Sequence, residues 1–113
     1  EYHSIQLLSV TREAVSNALR HGKPDRVKIR LEIDPQNLQK PGSYFLLTII
    51  DDGSGFNSKK DHNSGHGLSN MRERSMELNG EFACESAPGK GTRVSVRFPV
   101  DEMSRDSQVS LNI

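Results

Sequence analysis

Residues 44–56 read YFLLTIIDDGSGF, and the chain is organised around what this stretch becomes. Its first seven residues are apolar nearly throughout, which predicts a central strand, and that strand runs straight into two aspartates and a glycine pair. At such a junction Gly53 and Gly55 let backbone approach a flat ligand closely, while Asp51 offers a carboxylate acceptor suited to an exocyclic amine such as that of adenine. The same residues would also make a plain glycine-rich turn with Asp51 capping it. Taken alone, the stretch leaves both readings open.

About ten positions further on, GHGLSNM brings a second glycine pair, so four of the nine glycines sit in two tight clusters. Here a helix is predicted to follow at once, with Leu68, Met71, Ser75 and Leu78 on one stripe and Asn79-Gly80 as its stop. Gly65 and Gly67 would then place free backbone N–H groups and the positive end of a helix dipole at one spot, which attracts phosphate. EFACES and TRVSVRFP are predicted as a final pair of strands around the turn APGKG, with Val94, Val96 and Phe98 alternating. A single domain is expected over residues 1–100, followed by a flexible polar tail over 101–113.

Toward the N-terminus, VKIRLEI (27–33) alternates without a fault: Val27, Ile29, Leu31 and Ile33 on one side, Lys28, Arg30 and Glu32 on the other. This predicts a half-buried strand. Residues 4–20 contain no glycine or proline. Their apolar positions Ile5, Leu8, Val15 and Leu19, with Leu7, Ala14 and Ala18 beside them, predict a helix with a broad buried face, ended at HGKP by a left-handed Gly22 and by Pro24. On that helix Glu13, Asn17 and His21 are spaced four and four, a ladder on one face with Arg20 beside it. Carboxylate, amide and imidazole at this spacing suit a hard cation such as magnesium. A solvated polar face with a Glu-to-His pairing is the alternative. Helix, two strands, helix, two strands predicts an α/β two-layer sandwich, its helices on one face of a mixed, mostly antiparallel sheet.

Composition narrows the function classes. A chain of 113 residues builds one core. Its 15 basic residues balance 15 acidic ones, and no basic stripe with interleaved aromatics is present, so nucleic acid is not an expected partner. No apolar run approaches the ~20 residues needed to cross a bilayer. A soluble, cytoplasmic domain is expected, compatible with a membrane-anchored parent. Cys84 is the only cysteine and reads as a small core residue. Two nucleotide signatures fail: PGKGT lacks the earlier glycine and the hydroxyl residue of a phosphate loop, and GSGFNS leads into a polar loop where a dinucleotide fingerprint needs a helix.

Read in order, REAVSNALRHG, DDGSGF, GHGLSNMRERSMELNGEF and SAPGKGTRVSVRFP closely resemble the ATP-binding catalytic domain of bacterial sensor histidine kinases, in the superfamily shared with DNA gyrase, MutL and the Hsp90-type chaperones. The likeness covers residues 8–99 and looks most like kinases that partner NarL-type response regulators. It implies the Bergerat ATP-binding fold, with ATP and Mg2+ as cofactors. It implies catalytic roles for Asn17, as metal ligand, and Glu13, as its polar partner positioning the attacking group or a water. Arg20 and His21 would lie near the phosphates. Asp51 would accept the adenine amine, Gly53 and Gly55 would shape the adenine pocket, and Thr92 would support Asp51, often through water. Gly65, His66, Gly67 and Leu68 would form the second glycine box against the phosphates.

Asp52 stands where the wider superfamily often has asparagine, and the lid over 57–64 is short, so weak binding and fast exchange are expected. The family phosphorylates a histidine on a separate dimerisation domain, and none of His3, His21, His62 or His66 lies in a context resembling it. The chain would thus bind ATP without completing the reaction, as a monomeric fragment of a homodimeric parent. The rivals are an anti-sigma-factor serine kinase and a non-catalytic interaction module of the same fold. The intact Glu13, Asn17, Asp51 and Gly67 speak against the second.

Overall fold

The computed structural model describes residues 2–34, 43–56 and 67–99. Helix α1 (Tyr2–Asn17) is prolonged by a π-helical turn (Ala18–Gly22) and followed by β1 (Val27–Ile33), β2 (Tyr44–Asp51), α2 (Gly67–Glu77), β3 (Glu81–Ser86) and β4 (Thr92–Pro99). The strands lie in the order β1-β2-β4-β3, and each pairing is antiparallel. The predicted two-layer arrangement is present, its sheet wholly antiparallel among the described strands. The apolar run at 44–50 is an interior strand, as its composition requires.

Register builds the core. Leu47 and Ile49 of β2 stand opposite Val96 and Val94 of β4, and Phe45 stands opposite Phe98. Onto this row α1 presses Val10 and Ala14, and α2 presses Met71, with Leu78 just beyond its end. Ser75, fully buried on α2, returns its hydroxyl to the Met71 carbonyl at 2.7 Å, which satisfies it without an outside partner. The helix ends as Asn79-Gly80 predicts. Asn79 takes φ 54, Gly80 N–H donates to the Ser75 carbonyl and Asn79 N–H to the Met76 carbonyl, both at 2.9 Å.

Three expectations need correction. At the end of the first helix Lys23, not Gly22, adopts the left-handed conformation, at φ 44; Gly22 serves another purpose, described below. The buried stripe of α1 is Gln6, Val10, Ala14 and Ala18, while Ile5, Leu8 and Leu19 are exposed. Counting leucines misplaced the stripe, because the row facing the sheet is the one whose small alanines allow close approach. In β1, Ile29, Leu31 and Ile33 point to the same side of the sheet as Ile49, Leu47 and Phe45. They remain 52%, 49% and 55% exposed. The reason is that β1 is an edge strand among the described strands, and the helices pack mainly over β2 and β3.

On the other sheet face Arg97 of β4 clamps the buried Asp34 carboxylate at the end of β1 and reaches Glu81 of β3 at 3.3 Å. Among the described residues no helix is long and apolar enough to cross a membrane.

Candidate functional site

The π turn of α1, the end of β2, the start of β4 and the first turn of α2 converge on a hollow of about 800 Å³, counting its open mouth. Ala14, Ala18, Ile49, Met71 and Val94 make it apolar. Asn17, His21, Asp51, Gly55, Leu68 and Thr92 also line it. Six of the twelve residues singled out from sequence therefore share one wall system, although they come from four separate segments.

Asp51 ends β2 only 8% exposed. Its Oδ1 accepts the Gly53 N–H at 2.8 Å, so it does cap the glycine turn. Its second oxygen makes no hydrogen bond among the described residues, and the residue lines the hollow. One oxygen of the carboxylate is thus committed to the turn, and the other is left without a hydrogen bond among the described residues. Thr92 stands directly opposite Asp51 in the β2–β4 register, its hydroxyl 2.9 Å from that of Ser86. Ser86 accepts the Phe56 N–H and donates to the Gly91 carbonyl, each at 2.9 Å. With the single Ser86 proton on Gly91, Thr92 donates to Ser86 and keeps its own lone pairs for the hollow.

The glycines earn their places by close approach. A Cβ on Gly53 would stand 2.6 Å from the Gly22 carbonyl oxygen, since the two backbones cross there. Ser54 completes the crossing, donating its N–H to the Gly22 carbonyl at 2.9 Å and its hydroxyl to the His21 carbonyl at 3.2 Å. Gly55, at φ 69, would press a Cβ to 2.2 Å from the Ala87 carbonyl oxygen. The room expected for a flat ligand is used, at Gly53, for chain crossing. Asp52, read from sequence as a mild exchange, holds the crossing from the other side: its Oδ1 accepts the N–H groups of Asp25 and Arg26, both at 2.9 Å.

Gly67 opens α2 against the helix ladder. A Cβ there would lie 2.8 Å from Asn17 Nδ2 and 3.1 Å from Glu13 Oε2. Asn17 Oδ1 accepts from Arg20 at 3.3 Å, and the same guanidinium lies 3.7 Å from Glu13. The ladder is not a single row, however. Asn17 and His21 face the hollow, whereas Glu13 and Arg20 line a neighbouring groove between α1 and α2 with Arg12 and Arg74. Four residues overshoot one α-helical turn by about 40°, so Asn17 is offset round the helix from Glu13, and the wider π turn that follows takes Arg20 and His21 off the α-helical spacing. Gly65 and His66 lie outside the described residues.

Among the described residues no group of three or more His, Cys, Asp or Glu could hold a metal ion. A hard cation here would take one or two side-chain oxygens and complete its shell from a ligand's phosphates, as magnesium commonly does. Burial pushes the Cys84 thiol above its ordinary value; Asp51 and Glu85 add to this and the Arg72 guanidinium opposes it. The thiol is therefore protonated and unreactive at neutral pH.

The residues that sequence reasoning missed as lining, namely Ala14, Ala18, Gly22, Ile49, Phe56, Met71 and Val94, are apolar or glycine. A usable signal existed for several: Ile49 and Val94 sit two positions from Asp51 and Thr92 on the same strand face, and Ala14 and Ala18 flank Asn17.

Residues 2–102 match the family described as histidine kinase-, DNA gyrase B- and HSP90-like ATPases. The chain belongs to that family, as an ATPase domain of the histidine kinase type. It is 38% identical over 101 residues to the sensor protein VraS of Staphylococcus epidermidis, covering 89% of this chain and 27% of the relative. It is 41% identical over 96 residues to VraS of Staphylococcus saprophyticus, covering 85% and 26%. The chain thus spans about a quarter of the length of these curated relatives. Among solved structures, the histidine kinase domain of the Erythrobacter litoralis blue-light activated kinase superposes with a TM-score of 0.68 at 22% identity, over 92% of this chain and 48% of that one. The Acinetobacter baumannii histidine kinase AdeS gives 0.66 at 20%, over 85% and 46%. At these identities the structures speak for the fold.

Proposed function

We propose that this domain binds Mg-ATP and presents its γ-phosphate to a histidine on a separate dimerisation domain, as the catalytic part of a two-component sensor histidine kinase. The observation that carries the reading is one hollow that joins a buried carboxylate with a free oxygen, Asp51, to an asparagine packed on the glycine that opens α2. The bound nucleotide and its metal supply the phosphoryl group and the charge neutralisation that in-line transfer requires.

The roles follow from the surroundings. The free oxygen of Asp51 accepts the adenine amine, and Thr92 offers its lone pairs to a water beside it. Ile49, Met71 and Val94 exclude solvent around the ring. Asn17 Oδ1, held by Arg20 in this structure, is the metal ligand; Arg20 and His21 then face the phosphates, and Glu13 orients the attacking imidazole or a water. Gly67 brings the N–H end of α2 to the phosphates, with Gly65, His66 and Leu68 flanking it. The acceptor histidine, a NarL-type response regulator and a homodimeric, membrane-anchored parent with this domain on its cytoplasmic side complete the proposal. The sensor proteins named above favour a histidine acceptor over the serine of an anti-sigma kinase.

The test is thermal unfolding with Mg-ADP. Ligand at ~100 times its dissociation constant stabilises by about 2.7 kcal/mol. Asp51→Ala is expected to remove the shift for adenine nucleotides, and Asn17→Asp to alter its magnesium dependence. If Asp51→Ala binds ADP as the parent does, the adenine assignment is wrong.

A further inference from the structure

Ser86 ends β3 half-buried and is not among the residues that line the hollow. The register nevertheless sets it in one row with two that are: Ser86 stands opposite Thr92, and Thr92 opposite Asp51, across β3, β4 and β2. The turn joining β3 to β4 is also fastened to the loop after β2. Gly89 N–H donates to the Ser54 carbonyl at 2.6 Å, and Phe56 N–H donates to Ser86 Oγ at 2.9 Å.

A threonine hydroxyl is an ambiguous reader. Free to turn, Thr92 would either donate into the hollow or accept from it, and would tolerate an exocyclic amine and a ring carbonyl alike. We propose that Ser86 removes that choice: it is a positioning residue that holds the Thr92 proton away from the hollow and so makes the site select the amine of adenine over the carbonyl of hypoxanthine, given the adenine reading of the hollow on which this rests. A serine hydroxyl has one proton and two lone pairs. Phe56 N–H can only donate and takes one lone pair. The carbonyl of Gly91, a buried residue, can only accept and takes the proton. The other lone pair is left for Thr92, 2.9 Å away, which then has to be the donor. The Asp51 oxygen that the glycine turn leaves unused and the Thr92 lone pairs together form a wall of acceptors. Such a wall takes an amine, directly or through a water that Thr92 orients, and leaves a ring carbonyl facing acceptors with no donor.

The preference for Mg-ADP over Mg-IDP, measured as the ratio of their dissociation constants by calorimetric titration, tests this. Ser86→Ala releases the Thr92 proton to turn into the hollow, and the preference is expected to fall by about tenfold. General loosening of the loop would weaken both nucleotides alike and leave the ratio where it was. Ser86→Thr keeps a hydroxyl in place and should keep the ratio of the parent. Thr92→Val removes the lone pairs themselves and should lower the preference by a similar factor, with Ser86→Ala adding nothing further in the double variant. A Ser86→Ala or Thr92→Val variant as selective as the parent, while Asp51→Ala still abolishes ADP binding, overturns the role of Ser86 and leaves the adenine site standing. A double variant less selective than Thr92→Val alone overturns the route through Thr92. Failure of the parent to bind ADP overturns both readings together.

Discussion

Around Asp51 the neighbours are backbone and short hydroxyls, whereas around Asn17 they are the tips of longer polar side chains. Asp51 is fixed by the Gly53 N–H, and the Gly22–Gly53 crossing, Ser54 and Asp52 lock the loop behind it. Asn17 is fixed by a guanidinium on a side chain 62% exposed. The proposed adenine side is thus part of the folded core, and its residues serve stability and binding together. On the proposed phosphate side the two separate: residues there can change binding while the fold hardly notices. Such a division suits a site that must hold a ring rigidly while its charged part adjusts.

The largest effect that would break this contrast belongs to Gly53→Ala. The added methyl meets backbone, at 2.6 Å from the Gly22 oxygen and 2.8 Å from its carbonyl carbon, so no side-chain rotation relieves it. A loss of about 3 kcal/mol in unfolding free energy is expected by denaturant titration, together with loss of nucleotide binding. A variant as stable as the parent would show that the crossing is looser than described.

Gly67→Ala is the matched substitution on the other side. The three atoms nearest its methyl would be Asn17 Nδ2, Glu13 Oε2 and Asn17 Oδ1, all at the ends of side chains that can rotate away. Alanine suits the first turn of a helix better than glycine, so stability should hold or rise by about 0.5 kcal/mol. Binding of Mg-ADP should nevertheless weaken by about tenfold, because Asn17 is displaced from its position. Opposite signs in unfolding and in calorimetric titration would sharpen the comparison; a fall in both would erase it.

The same contrast explains what the sequence made legible. Strand limits at 27–33, 81–86 and 92–99 were readable because alternation and turn residues are local, and Asn79-Gly80 announced its own cap. Asp51 and Gly67 stood out as polar or flexible residues at the ends of such elements, whereas Thr92 entered only through the family resemblance. What stayed hidden depends on where elements lie relative to one another. Whether the VKIRLEI face is covered depends on where the helices sit over the sheet, and no pattern within seven residues carries that. Gly22 and Gly53 each looked like a turn residue, and only their crossing, 31 positions apart in the chain, shows why Gly53 tolerates no side chain. Asp52 was undervalued for the same reason, since its partners Asp25 and Arg26 belong to another segment.

The smallest predicted effect is also the one that isolates the loosest contact. Arg20 touches Asn17 Oδ1 at 3.3 Å and Glu13 at 3.7 Å from an exposed position. Exposed pairs of this kind are screened and contribute little, so Arg20→Ala should leave the melting temperature nearly unchanged. Its influence on nucleotide affinity should be at most about fivefold and should shrink as salt is added. Arg20→Gln separates the two things the residue could do. Glutamine keeps a donor for Asn17 Oδ1 and lacks the charge; recovery of affinity in that variant would assign Arg20 to holding the amide, and continued loss would assign it to the phosphates. An effect as large as that of Gly67→Ala would mean that Asn17 is held as firmly as Asp51, and the distinction between the two sides of the hollow would fail.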